Sequence, residues 1–196
     1  MKKIIKTIIK IVKSLIFIPH IASYLLINRS KRILVNKDID AEKNRNQITY
    51  NRIIALLFYL QYSPYYRKIF YKRIGMCSYL LSWYSPGEKT FLPYANIGGG
   101  VYPSHSFATI LNAKSIGENF TFRNCTTVGS KKDGHNELVP TILDNVILGA
   151  NVCIIGDITI GNNVIVGAGS VVIHSVPDNC VVAGNPARFI KKNPDI

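Results

Sequence analysis

The sequence predicts a mainly β protein, a parallel β-helix with an N-terminal α-helical segment. Three observations carry that prediction. Every sixth residue from Ile142 is aliphatic: Ile142, Leu148, Ile154, Ile160, Val166 and Val172. A second series, Val146, Val152, Ile158, Val164, Ser170 and Val176, follows four residues behind the first. Between the two fall Gly149, Gly161 and Gly167 with Asp144, Asn145, Asn162 and Asn163. A period of six is neither the 3.6 of a helix nor the 2 of an exposed hairpin. A fixed short repeat with one aliphatic per unit signals a solenoid of very short parallel strands. The aliphatic fills the interior, and Gly or Asn takes the left-handed conformation that turns the chain.

The solenoid is expected to begin near Pro93, with Ile97 and Gly98 to Gly100 opening an irregular coil. Ile110, Ile116, Phe122 and Val128 continue the repeat, which then breaks at Gly129. Val128 and Ile142 are 14 residues apart, two more than a whole number of hexads, so residues 129–141 are expected to bulge out as a loop. Interruptions of this kind project from one face of a solenoid and carry function. Residues 177–196 leave the repeat, and their prolines suggest a cap.

Two segments are expected before the solenoid. In residues 1–35, Lys2, Lys3, Lys6, Lys10 and Lys13 share one helical arc, and Ile4, Ile5, Ile8, Ile9, Ile11, Val12, Leu15 and Ile16 share the other. A basic amphipathic helix suits the surface of an anionic membrane, assigned here to residues 1–28. The apolar run from Leu15 to Ile27 is shorter than the roughly 20 residues a spanning helix needs. Packing against the protein itself, or the apolar core of a signal peptide, are the alternatives. Residues 36–92 read as a helical domain. Ile53, Ile54, Leu56, Leu57, Tyr59 and Leu60 form a stripe, Ser63-Pro64 gives an N-cap followed by proline, and Gly75 marks a stop.

Formal net charge is +13, and nine of the 24 basic residues lie within the first 37 positions, ahead of the first acid, Asp38. That asymmetry points to an anionic surface, and no nucleic-acid motif accompanies it. Cys77, Cys125, Cys153 and Cys180 are far apart and form no metal-binding pair, so they read as small buried hydrophobes in a reducing compartment.

Two histidines lie in irregular parts of the solenoid: His105, after Pro103-Ser104, and His135, in the loop. Histidine is the side chain best suited to take a proton near neutral pH. "LGANVC", "IGNNVI" and "VGAGSV" resemble the hexapeptide repeats of left-handed β-helix acyltransferases. "IGGGVYPSHSFATI" resembles the serine acetyltransferase branch of that family. The resemblance implies a left-handed coil, a homotrimer that in some members pairs into a dimer of trimers, acetyl-CoA as donor and no metal. It implies His105 as the general base and a backbone N–H in the Gly129 turn as an oxyanion donor. Ala150 and Ala168 would lie along the pantetheine arm, and "AGNPARFIKK" would offer Arg188, Lys191 and Lys192 to the phosphates.

The departures bear on the acceptor. The family's carboxylate that orients the histidine falls at Thr90, with Glu88 the nearest acid. The aspartate before the histidine, which contacts serine, is Ser104. The Arg-His pair that grips the amino acid falls at Leu138 and Val139, leaving His135 as the loop's candidate substrate contact. An amino acid needs charged partners for both its ends, and this set lacks them. Serine is thereby disfavoured, and the membrane-seeking N-terminus favours a glycan: the expected activity is O-acetylation of a sugar hydroxyl of a surface polysaccharide or its precursor, at the cytoplasmic face of the cytoplasmic membrane. Serine O-acetylation, a non-catalytic trimeric scaffold and a three-histidine metalloenzyme are the alternatives.

Overall fold

The computed structural model describes residues 14–84, 90–91, 96–132, 135 and 137–193. The chain divides into two compact units, Met1–Glu88 and Lys89–Ile196. The boundary falls ahead of the expected residue 92 because strand β1 (Thr90–Phe91) already pairs with a strand of the solenoid.

The first unit contains α1 (Ile18–Leu26), α2 (Arg29–Asn46), α3 (Arg52–Tyr62), α4 (Pro64–Ile74), a 3₁₀ turn (Gly75–Cys77) and α5 (Ser78–Tyr84). Local chemistry sets the ends. The side chains of Asn28, Asn51 and Ser63 accept the backbone N–H groups of Lys31, Ile54 and Tyr66, satisfying donors that a helix start leaves open. Pro64 follows its cap, and Gly75 at φ 68 ends α4, as the sequence predicts. Phe17, Tyr24, Val35, Ile39, Leu56, Leu60, Tyr66, Phe70 and Leu81 form one core. This corrects the expected separation of residues 1–35 from 36–92: Phe17, His20 and Tyr24 are buried in the same core as α3 and α4. The five-lysine arc lies outside the described residues. Among the described helices none is long and apolar enough to cross a membrane.

The second unit is a parallel β-helix whose strands stack in three sheets. The first sheet holds β1, β4 (Thr109–Leu111), β7 (Thr127–Gly129), β10 (Cys153–Ile155) and β13 (Val171–Val172). The second holds β2 (Asn96–Ile97), β5 (Ser115–Ile116), β8 (Thr141–Ile142) and β11 (Thr159–Ile160). The third holds β3 (Tyr102–Ser104), β6 (Thr121–Arg123), β9 (Ile147–Leu148), β12 (Ile165–Val166), β14 (Cys180–Gly184) and β15 (Ala187–Lys192). β15 turns back antiparallel on β14 and forms the cap.

Ile142, Leu148, Ile154, Ile160, Val166 and Val172 are all buried, as the period of six requires. Ser170 occupies an apolar interior position, donating to the Gly167 carbonyl and accepting from the Gly184 N–H. At the corner between the second and third sheets, Asn119, Asn145, Asn163 and Asn179 all have φ near +60°. Their side chains hydrogen-bond in series up the stack at 2.8–2.9 Å. The same residues thus supply the turn and a polar ladder. Two expectations fail. Ile110 is 44% exposed and Leu111 faces inward in its place. Cys77 is exposed, while Cys180 is buried and all four thiols are free.

Candidate active site

The misplaced Ile110 leads to the site. Ser104 pairs with Arg123, and Ile110 with Thr127. Six residues in one coil therefore span a corner that the next coil crosses in four, so two extra residues, His105 and Ser106, enter the turn and shift the register. Phe107 rejoins the stack, its carbonyl accepting the Cys125 N–H. His105 is exposed at φ +51°, a conformation that costs a side-chain-bearing residue roughly 1–2 kcal/mol. Ser106 beside it is buried. The fold thus holds an imidazole outward on a bulge, at a conformation that isolated chains avoid.

Below His105 runs a column on the outer face of the third sheet. Paired residues of adjacent strands share a face. Ser104 is level with Arg123, and continuing the register brings Gly149, Gly167, Ala183 and Arg188 into the same column. From β3 to β15 this column spans about 24 Å at ~4.8 Å per strand. A Cβ on Gly149 would stand 2.6 Å from the backbone of Ala168, so only glycine lets these coils approach. Ala150 and Ala168 lie beside each other on the adjoining corner, the Ala150 carbonyl accepting the Gly169 N–H. Both are small, and Arg188 and Lys191 are exposed at the far end of the column on the outer face. This set suits an extended amide-containing arm ending in phosphates. Lys192 is also exposed but pairs with inward-facing Cys180 and so stands apart from Arg188.

Gly129 and His135 are not brought to His105 within the chain. Gly129 ends β7, at the edge of the first sheet opposite the His105 corner, and the space beside its Cα is open. Its carbonyl accepts the Gly156 N–H. His135 sits in the expected loop, where Nδ1 meets Glu137 Oε1 at 2.7 Å with both side chains exposed. The Glu137 backbone and the histidine contact hold that carboxyl below the usual range. Leu138 is half-buried and Val139 buried, neither offering a charge. Glu88 lies outside the described residues. Among the described residues no three of His, Cys, Asp and Glu gather as a metal site would require.

Sequence reasoning missed two residues. Glu137 follows His135 by two positions, a spacing that could have suggested the pair. Arg123 was hidden inside a regular coil, and only the strand register puts it beside Ser104.

A model of the family described as bacterial transferase hexapeptide (six repeats) matches residues 140–174. That stretch of the solenoid is therefore similar to the hexapeptide-repeat transferases. The chain is 48% identical over 95 residues to a protein described as putative colanic acid biosynthesis acetyltransferase WcaB of Escherichia coli K12, covering 48% of this chain and 58% of that one. It is 32% identical over 167 residues to the serine acetyltransferase of Buchnera aphidicola, covering 81% of this chain and 64% of that one. The chain also superposes on a crystal structure of serine acetyltransferase from Brucella abortus in complex with coenzyme A. That match has a TM-score of 0.71 at 26% identity, covering 87% of this chain and 72% of the other. The chain therefore spans less than two thirds of the length of these two curated relatives.

Proposed function

We propose that this protein is an acetyl-CoA-dependent O-acetyltransferase that acts, as a homotrimer, on a sugar hydroxyl of a surface polysaccharide or its precursor. The observation that carries the reading is the two-residue bulge that displays His105 at the head of a small-residue column leading to Arg188. The neutral His105 imidazole takes the proton of the acceptor hydroxyl as its oxygen attacks the thioester carbonyl. The carbon–sulfur bond breaks, the oxygen keeps the acetyl group, and the departing thiolate recovers the proton from the imidazolium. No covalent bond to the enzyme forms. Ala150 and Ala168 leave room for the donor's arm, while Arg188 and Lys191 offer charge to its phosphates. The open Gly129 turn supplies the oxyanion donor from a neighbouring subunit. The carbohydrate acceptor is supported by the similarity to the colanic acid relative and by Ser104, Leu138 and Val139, which lack the charges serine would need.

His105→Ala should lower kcat/KM by about 10²- to 10⁴-fold while leaving trimer mass and acetyl-CoA binding intact. Thiol release is the assay, with sugars and L-serine as acceptors. Wild-type rates in the variant remove His105 from the mechanism, and efficient O-acetylserine formation restores the serine reading.

We further propose that the helical unit sits on an anionic membrane surface. Leu15, Ile18, Leu25 and Ile53 are 38–56% exposed around an apolar groove of about 470 Å³, and Leu26 beside them is 85% exposed. Exposed Arg29 follows directly, and the lysines of residues 1–13 continue the same chain. Each basic residue near such a surface contributes roughly 1 kcal/mol, less in high salt. Because Phe17 and Tyr24 belong to the core, the test substitutes surface residues and leaves the segment in place. Leu25→Glu with Leu26→Glu should release the protein from phosphatidylserine vesicles in co-sedimentation. Equal sedimentation of variant and wild type counts against the membrane role.

A further inference from the structure

The residue that the register places nearest Ser104 has no side-chain partner among the described residues. Arg123 is exposed, and its guanidinium makes no hydrogen bond or ion pair with any described residue. The described acids of the solenoid are engaged or placed elsewhere. Asp144 and Asp178 cap backbone N–H groups at the corner between the second and third sheets. Asp157 pairs with Lys114, Glu137 pairs with His135, and Glu118 stands on the asparagine corner. The outer column of the third sheet therefore carries a fixed positive charge that no described acid meets. It stands one strand spacing, ~4.8 Å, from Ser104 and directly beside the bulge that holds His105.

Aromatic surface flanks the same spot. Tyr102 lies two residues before Ser104 on the same face and is half-buried, while Phe107 closes the bulge and is 45% exposed. An aromatic face packs well on the apolar side of a sugar ring. A guanidinium beside it matches carboxylate and phosphate oxygens in a bidentate fork.

We infer that the acceptor is an anionic sugar, bearing a carboxylate or phosphate that Arg123 binds while His105 takes the proton from a nearby hydroxyl. The inference rests on the transferase reading above and narrows its acceptor class. Ser104 is what makes the geometry workable. A carboxylate at that position would occupy Arg123, whereas a small hydroxyl leaves the guanidinium available.

The test compares three acceptors with a common ring: a neutral hexose, its uronate and its phosphate monoester. Thiol release is measured for wild type, Arg123→Gln and Arg123→Lys, and binding of each sugar is measured separately by calorimetry without acetyl-CoA. Wild type should prefer an anionic acceptor, and whichever of uronate and phosphate is favoured identifies the group. Arg123→Gln should lower the anionic-to-neutral ratio of kcat/KM by about 10- to 100-fold, the scale of one charge-assisted contact. Arg123→Lys should recover part of it. An unchanged ratio, or a rise in the KM for acetyl-CoA that matches the loss, overturns the inference, the latter by assigning Arg123 to the donor. Thiol release with no hydroxyl acceptor at all overturns the transferase reading. In that case the calorimetric preference for anionic sugar, lost in Arg123→Gln, still decides for or against Arg123.

Discussion

The two units bury opposite kinds of chemistry. In the solenoid, the described interior is aliphatic and aromatic, with Ser106, Ser170 and a few threonines as its polar members and no buried acid, base or histidine. In the helical unit, Asp38 and Arg73 are buried together, 2.8 Å apart and joined by two hydrogen bonds. Buried Glu42 takes a hydrogen bond from Asn46, and buried His20 meets the Tyr71 hydroxyl at 2.9 Å. A repeat can meet the hydrogen-bonding needs of each coil with the next one, so its core needs no charge. Helices crossing at varied angles meet through single contacts, and those that are charged must find a specific partner.

That contrast makes the ion pair the most sensitive point. Arg73→Met leaves Asp38 buried without its partner and should destabilise the helical unit by about 3–5 kcal/mol, whereas Asp38→Leu combined with Arg73→Met should restore much of the loss. Hydrogen exchange resolves the units. Amides of α2 to α4 should lose protection in the single variant, while those of residues 142–172 should keep theirs. Equal loss in both units breaks the comparison.

Acidity gives a smaller and more selective test. Burial raises the Glu42 carboxyl from 4.5 to about 7, and burial with nearby Arg67 lowers the His20 imidazole from 6.5 to about 4. The folded state holds the Glu42 proton more tightly than the unfolded chain, so this group's contribution is complete below about pH 4.5 and is lost as pH rises toward 7. His20 acts in the other direction: its neutral form is favoured on folding, so its contribution is complete above about pH 6.5 and is lost as pH falls toward 4. Each amounts to about 3 kcal/mol, so they nearly cancel between pH 4.5 and 6.5. Glu42→Gln should uncover a stability of the helical unit that rises with pH across this window. The solenoid amides should show no comparable change. A flat profile in Glu42→Gln removes His20 from the account.

The sequence by itself determined the β-helix, because a repeat of six repeats the same packing problem and one coil's solution serves all. It also determined the corners taken by asparagine, the caps at Ser63 and Gly75, and the candidacy of His105 through motif resemblance. Tertiary structure decided the rest. Ile110 follows the period yet faces outward, because His105 and Ser106 insert two residues that only strand pairing reveals. Phe17 to Val35 joined the helical core because one apolar face finds its partner in α3 and α4, whose distance in sequence no local pattern encodes. Arg123 acquired its place beside Ser104 in the same way. The two residues are 19 positions apart and become neighbours only when one coil closes onto the next.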